Sequence, residues 1–217
     1  MRWVFYRFVR SFLRLIWKLY FRWEVYGKDN LPATGGALLA ANHVSYLDPS
    51  LMGCAVARHV HFMAKKELFS IPGLGWLMRR FDAFPVERGG ADRKAIRKAL
   101  EVLRSGHVVG IFPEGTRGDG KTLLKAQPGT VLLAVKAGVP IVPMAITGVE
   151  RVLPPGRWFP RPAKIRILIG EPIEIPVNES VASREVLEHY SRLLMERIDE
   201  LRSFQEPITV GKTAVKI

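Results

Sequence analysis

The sequence predicts an α/β fold: a single domain with a largely parallel sheet flanked by helices, preceded by an N-terminal amphipathic helix that associates with a membrane. Three observations carry this reading. From Gly35 onward, short apolar runs alternate with stretches of helical periodicity, the pattern of strand–helix crossovers. The composition is that of a globular chain, with 217 residues, 48% hydrophobic and 24% charged. That excludes wholesale disorder and suffices for one sizeable core. Residues 1–28 stand apart, with seven basic side chains and one acidic set among aromatics.

Those first residues invite a signal-peptide or transmembrane reading, and both fail. Arg7, Arg10, Arg14, Lys18 and Arg22 interrupt every apolar run, so none approaches the ~20 residues a span requires. A small-residue cleavage site after an uninterrupted apolar region is also lacking. The basic positions recur at intervals of three and four, which places them on one helical face. The remaining surface carries Trp3, Phe5, Phe8, Phe12, Leu13, Leu15, Ile16, Trp17, Leu19, Tyr20 and Trp23. A basic stripe beside a wide aromatic face suits a helix lying in the plane of an anionic bilayer surface.

The remainder, residues 29–206, reads as the main domain. Strands are expected over residues 37–41, 60–64, 83–86, 108–112, 141–146 and 165–169. Helices are expected between them over 49–58, 73–80, 91–104 and 129–137. The third of these is the clearest: Ala95, Ile96, Ala99, Leu100, Val102 and Leu103 form an apolar side opposite Arg93, Arg97 and Arg104. Pro154, Pro155, Pro160 and Pro162 mark a loop with Trp158 and Phe159 at its tip. A closing helix over 183–204 places Val186, Leu187, Tyr190, Leu194 and Ile198 at helical spacing, and residues 207–217 read as a loosely held tail.

Lysine and arginine number 33 against 20 acidic residues, a net charge of +13. Such a balance points to an anionic partner, and charge alone does not choose between nucleic acid and lipid. The aromatic N-terminal face, and the lack of a nucleic-acid recognition motif, favour lipid. Cys54 is the one cysteine, so no intramolecular disulfide forms, which fits a reducing compartment. The five histidines are scattered and there is no cysteine pair, so no zinc site is expected.

Two segments carry chemistry, each directly after an expected strand, where α/β sheets collect reactive groups. In Asn42-His43-Val44-Ser45-Tyr46-Leu47-Asp48, a carboxylate that accepts a proton from one imidazole nitrogen frees the other to act as a base. Asp48 equally suits the N-cap of the following helix. In Phe112-Pro113-Glu114-Gly115-Thr116-Arg117, Gly115 lets backbone approach a ligand, Thr116 offers a hydroxyl and Arg117 a fork for phosphate. Backbone N–H groups near Gly115 suit a tetrahedral oxyanion.

The order Asn42–Asp48, Arg88 within Phe84-Pro85-Val86-Glu87-Arg88-Gly89, Phe112–Arg117 and Val139-Pro140-Ile141-Val142-Pro143 resembles the four sequence blocks of the 1-acyl-sn-glycerol-3-phosphate acyltransferase family. The likeness runs over residues 36–172, and Ala64-Lys65-Lys66-Glu67-Leu68 is similar to a lysine-containing segment of that family. The resemblance implies that His43 is the catalytic base and Asp48 its partner. It assigns phosphate contact to Arg88, Glu114, Gly115, Thr116 and Arg117, with Lys65 as a further cation, and links residues 140–143 to donor binding or support. Pro85 and the stretch Lys125-Ala126-Gln127-Pro128-Gly129 depart from the family pattern.

The reaction so implied moves an acyl chain from acyl-CoA or acyl-carrier protein to the sn-2 hydroxyl of 1-acyl-sn-glycerol 3-phosphate, giving phosphatidic acid. Neither cofactor nor metal is expected. The expected partners are an anionic membrane surface on the cytoplasmic face, the lysophospholipid acceptor and the thioester donor, without nucleic acid. Glycerol 3-phosphate, another lysophospholipid or an aminolipid are alternative acceptors, and a non-catalytic membrane-binding protein is the rival class.

Overall fold

A computed structural model describes residues 2–87, 92–152, 159–176 and 183–204. In chain order its elements are α1 (Arg2–Leu19), β1 (Glu24–Tyr26), β2 (Ala37–Ala41), α2 (Asp48–Ala55), β3 (Val60–Lys65), α3 (Leu74–Arg80), β4 (Phe84–Val86), α4 (Arg93–Arg104), β5 (Val108–Ile111), α5 (Pro128–Ala137), β6 (Ile141–Thr147), β7 (Arg166–Ile169) and α6 (Arg184–Ser203). One-turn 3-10 segments at Lys28–Asn30, Lys66–Ser70 and Val149–Arg151 complete the path. The expected strands and helices of the main domain all form, with ends shifted by a few residues.

The strands make one seven-stranded sheet in the order β1-β7-β6-β2-β5-β3-β4. From β6 to β4 every neighbouring pair is parallel. The exception, β7 against β6, follows from the connection. Among the described residues between β6 and β7 there is a one-turn segment and no crossover helix, and the chain returns antiparallel. The small and branched residues of β2, Ala-Leu-Leu-Ala-Ala, are buried on both faces at the centre, as a doubly covered parallel strand requires. Leu39, Ala41, Val142 and Met144 meet Trp17 and Phe21 at the carboxyl end of α1, with Leu51 and Met52 of α2, on one face. Leu38, Ala40 and Ile141 meet α4, α5 and α6 on the other. Pro85 sits in β4, the edge strand, where a missing N–H is tolerated.

Residues 1–28 are not one helix. The chain leaves α1 at Leu19, passes Arg22 at φ 46°, and adds β1 to the sheet edge beside β7. The strand is held there by Glu24, whose carboxylate meets Lys164 at 2.6 Å and Arg166 at 3.5 Å. Nor does the whole basic stripe face outward. Arg14 donates to the carbonyls of Cys54 (2.7 Å) and Val56 (2.9 Å), and Arg10 to those of Ala57 (3.0 Å) and Val56. Cys54 lies in the last turn of α2 and Val56 and Ala57 directly follow it, so both cations meet the negative pole of the helix. Tyr6, Trp17 and Phe21 are buried beneath α1. What α1 leaves outside is a stripe of Val4, Phe8, Phe12, Leu15 and Leu19 with Arg7 and Lys18 alongside. No helix among the described residues is long and apolar enough to cross a membrane.

At the amino end of β3, His59 packs edge-on against Tyr6 at 4.3 Å, faces His61 at 4.7 Å, and meets Asp82 at 3.2 Å through Nε2. Burial is the main cause that pushes its pKa down to about 4 from the ordinary 6.5, with His61 opposing protonation and Asp82 only partly compensating. The unfolded chain therefore takes up this proton first, and stability present above pH 6.5 drains away as the pH falls towards 4. Thermal unfolding should lose roughly 1–3 kcal/mol of stability over that window. His59→Gln should flatten the slope in melts taken at neutral and mildly acid pH; an unchanged slope would refute the assignment.

Candidate active site

The turn after β2 is pinned at its base before any catalytic group appears. Asn42 is buried and pairs with the main chain of β6, its Nδ2 donating to Ile146 O at 2.9 Å and its Oδ1 accepting from Ile146 N at 2.8 Å. His43 follows, above the carboxyl ends of the parallel strands, as expected.

Asp48 opens α2 and is fully buried. Its Oδ2 accepts from Val44 N at 2.7 Å, Ser45 N at 2.8 Å and His43 Nδ1 at 2.8 Å. These donors all precede the helix, and the N-cap position belongs to Leu47, without a side-chain bond. Of the two contacts expected of Asp48, the one to the imidazole forms and the cap does not. In the tautomer that completes this set of three donors, Nδ1 gives its hydrogen to the carboxylate and Nε2 is left as the acceptor. The imidazole stacks on Phe112 at 4.0 Å and an interplanar angle of 18°, which fixes its plane.

The second segment holds the first. His43 N donates to Glu114 Oε1 at 2.8 Å, Leu124 N donates to Glu114 Oε2 at 3.0 Å, and Gly118 N donates to His43 O at 2.8 Å. Glu114 is only 3% exposed. With one backbone amide on each oxygen, it braces the histidine main chain rather than facing a ligand, and an anion would in any case repel phosphate. The carboxylate expected among the phosphate contacts is thus held inside the turn.

Gly115 adopts φ +70°, the left-handed region that favours glycine. Its N–H is bonded to Phe112 O at 3.0 Å, which closes the turn. Thr116 and Arg117 are exposed. Arg117 is drawn back over the histidine turn: its guanidinium lies 3.6 Å from the Tyr46 ring centroid and donates to Tyr46 Oη at 2.8 Å. Tyr46 went unnoticed in the sequence, though an exposed aromatic inside a His-x4-Asp turn was the available signal. Lys65 ends β3 on the same sheet edge, exposed and 3.4 Å from Glu67. Arg88 lies outside the described residues, just beyond the end of β4, as do Trp158, residues 153–157 and the 207–217 tail.

An imidazole oriented by a buried carboxylate, with an arginine held over the same turn, has the chemistry of one class of protein, the general-base transferases. Comparison with known proteins agrees. A family model described as Acyltransferase matches residues 22–147. The 1-acyl-sn-glycerol-3-phosphate acyltransferase of Bacillus subtilis is 33% identical over 199 residues, covering 91% of this chain and 97% of that protein. The chloroplastic BAT2 enzyme of the same name from Brassica napus is 28% identical over 182 residues, 78% of this chain, which spans 53% of it. The crystal structure of the 1-acyl-sn-glycerophosphate (LPA) acyltransferase PlsC from Thermotoga maritima superposes with a TM-score of 0.73 at 32% identity, over 93% of this chain and 83% of that one. The chain belongs to the 1-acyl-sn-glycerol-3-phosphate acyltransferase family, and it is an O-acyltransferase.

Proposed function

We propose that this acyltransferase moves an acyl chain from acyl-CoA or acyl-carrier protein to the sn-2 hydroxyl of 1-acyl-sn-glycerol 3-phosphate, releasing phosphatidic acid. The observation that carries this is the meeting, in one turn, of the His43–Asp48 pair with Arg117 held over Tyr46. A base and a phosphate-sized cationic fork in one place suit a hydroxyl acceptor that bears a phosphate.

In the reaction, His43 Nε2 takes the hydroxyl proton as the oxygen attacks the thioester carbonyl, and Asp48 stabilises the imidazolium. Collapse of the tetrahedral intermediate breaks the C–S bond, and His43 returns the proton to the departing thiolate. Transfer is direct. Cys54 sits at the far end of α2 from His43, buried, with its thiol pushed up to about 11 by desolvation, which makes it a poor nucleophile at neutral pH. Each role falls to the chain or its two substrates, so we propose no cofactor and no metal. Arg117 orients the phosphate, with Lys65 as a further cation, and the family resemblance adds Arg88. The outer stripe of α1 attaches the enzyme to an anionic leaflet, on the cytoplasmic face where the donors are made.

The test is thiol release by the purified protein from acyl-CoA and acyl-carrier protein, against a panel of 1-acyl-glycerol 3-phosphate, glycerol 3-phosphate, lysophosphatidylcholine and a monoacylated aminolipid. Turnover only with the first acceptor is the expected result; a preference for any other overturns the assignment. Arg117→Ala should raise KM for the phosphate acceptor by about 10–100-fold with a smaller change in kcat, the worth of a lost charge-assisted hydrogen bond. Tyr46→Phe, which keeps the stack and loses the hydroxyl, should fall between that variant and the parent protein.

A further inference from the structure

Of the thirteen large apolar side chains exposed among the described residues, six lie on residues 4–20. Four more lie on the short crossover between β3 and β4: Ile71 at 47% exposure, Leu74, Trp76 at 52% and Leu77. A seven-residue helix carrying three of these side chains cannot owe them to its own core, since they point away from it. The two groups are joined. Phe5, between exposed Val4 and Phe8, meets the Trp76 ring edge-on at 5.5 Å, and Arg80 lies over both rings at 5.9 and 5.2 Å. Neither α1 nor α3 contains a carboxylate, while Arg7, Lys18 and Arg79 are exposed along them; Glu67, at the start of the crossover, is paired with Lys65 at 3.4 Å.

We propose that the 66–80 crossover is a second lipid-contacting element, inserting Ile71, Leu74, Trp76 and Leu77 into the interfacial layer of the anionic leaflet that receives α1. The inference rests on the reading of α1 as the membrane attachment. Charge chooses lipid over other occupants: an apolar surface edged by cations and free of carboxylates on both helices complements anionic headgroups over an acyl layer. Tryptophan is also the side chain best suited to that depth, with its ring in the acyl boundary and its N–H at the headgroups. A crossover seated in lipid brings the Lys65 end of β3 to the leaflet, so the mouth of the site faces the layer that supplies a one-tailed acceptor and receives a two-tailed product.

The test places an environment-sensitive dye on an introduced thiol at Leu74→Cys, and in a second protein at Leu15→Cys on α1; Cys54 is buried and stays in place. Both are mixed with vesicles of phosphatidylcholine and phosphatidylglycerol in equal parts, with and without brominated acyl chains. Quenching by the brominated lipid at both positions is expected. Quenching at position 15 alone overturns the proposal and leaves α1 as the attachment. Quenching at neither overturns both. Trp76→Ser with Leu77→Ser should weaken vesicle partitioning about tenfold or more with helicity and melting temperature unchanged; undiminished partitioning of that folded variant refutes the proposal. A dimer in lipid-free buffer that the same pair of substitutions dissolves would assign the surface to a second copy of the chain and overturn it as well.

Discussion

Replacing His43 with alanine is expected to lower kcat by roughly a thousandfold or more, the contribution of a positioned general base and its return of the proton to the leaving group. The substitution should do little else. The bonds that fix this residue's place, from its own N–H to Glu114 and from Gly118 N–H to its carbonyl, are made by the main chain and survive in alanine. Asp48 keeps its two amide donors from Val44 and Ser45. Melting temperature and vesicle binding should therefore stay near those of the parent protein while thiol release disappears. A variant that retained most of its turnover would show that another group removes the proton.

Asp48→Asn is expected to be nearly as damaging, by about 10³–10⁴ in kcat, although it preserves shape. One oxygen of Asp48 accepts three donors, which suits an anion and exceeds the two lone pairs of a neutral amide oxygen. The asparagine can hold the turn or the imidazole, but it offers no charge to the imidazolium. KM for the acceptor should move little, because Arg117 and Tyr46 are untouched, so separate measurement of kcat and KM decides the matter. A change confined to KM would mean that Asp48 serves binding. Asp48→Ala adds a second cost, since it leaves buried N–H groups unpaired at about 1–3 kcal/mol. Chemical denaturation should register that cost in alanine far more than in asparagine.

The contact between His43 and Asp48 was legible because its information is local, while the role given to the pair came from the order of the sequence blocks around it. A strand of Ala-Leu-Leu-Ala-Ala runs straight into Asn-His, and five residues later an Asp-Pro starts a helix; spacing alone brings carboxylate and ring together. The crossover pattern was legible for the same reason, since each strand and helix carries its own period. Features that depend on distant partners were not. Strand β1 has three residues and pairs with a strand some 140 positions away, so nothing in Glu24-Val25-Tyr26 announces it. Arg10 and Arg14 read as a solvent stripe because their partners are backbone carbonyls, and Arg14 finds one 40 residues further along. Glu114 is the sharpest case. The resemblance places its carboxylate among the phosphate contacts, and only burial with two amide donors shows that it braces the histidine.

The arginines on the end of α2 have one more consequence. Helix α2 begins with the carboxylate that orients the base and ends on the carbonyls that receive Arg10 and Arg14. It is eight residues long, a rod of about 12 Å at 1.5 Å per residue. Under the proposed attachment, this rod is a ruler between leaflet and chemistry: α1 is clamped to one end and the proton acceptor hangs from the other. An acceptor whose tail stays among its neighbouring lipids would then present its hydroxyl at one height only. Such a gauge selects by reach, and adding or removing a turn of α2 would retune it.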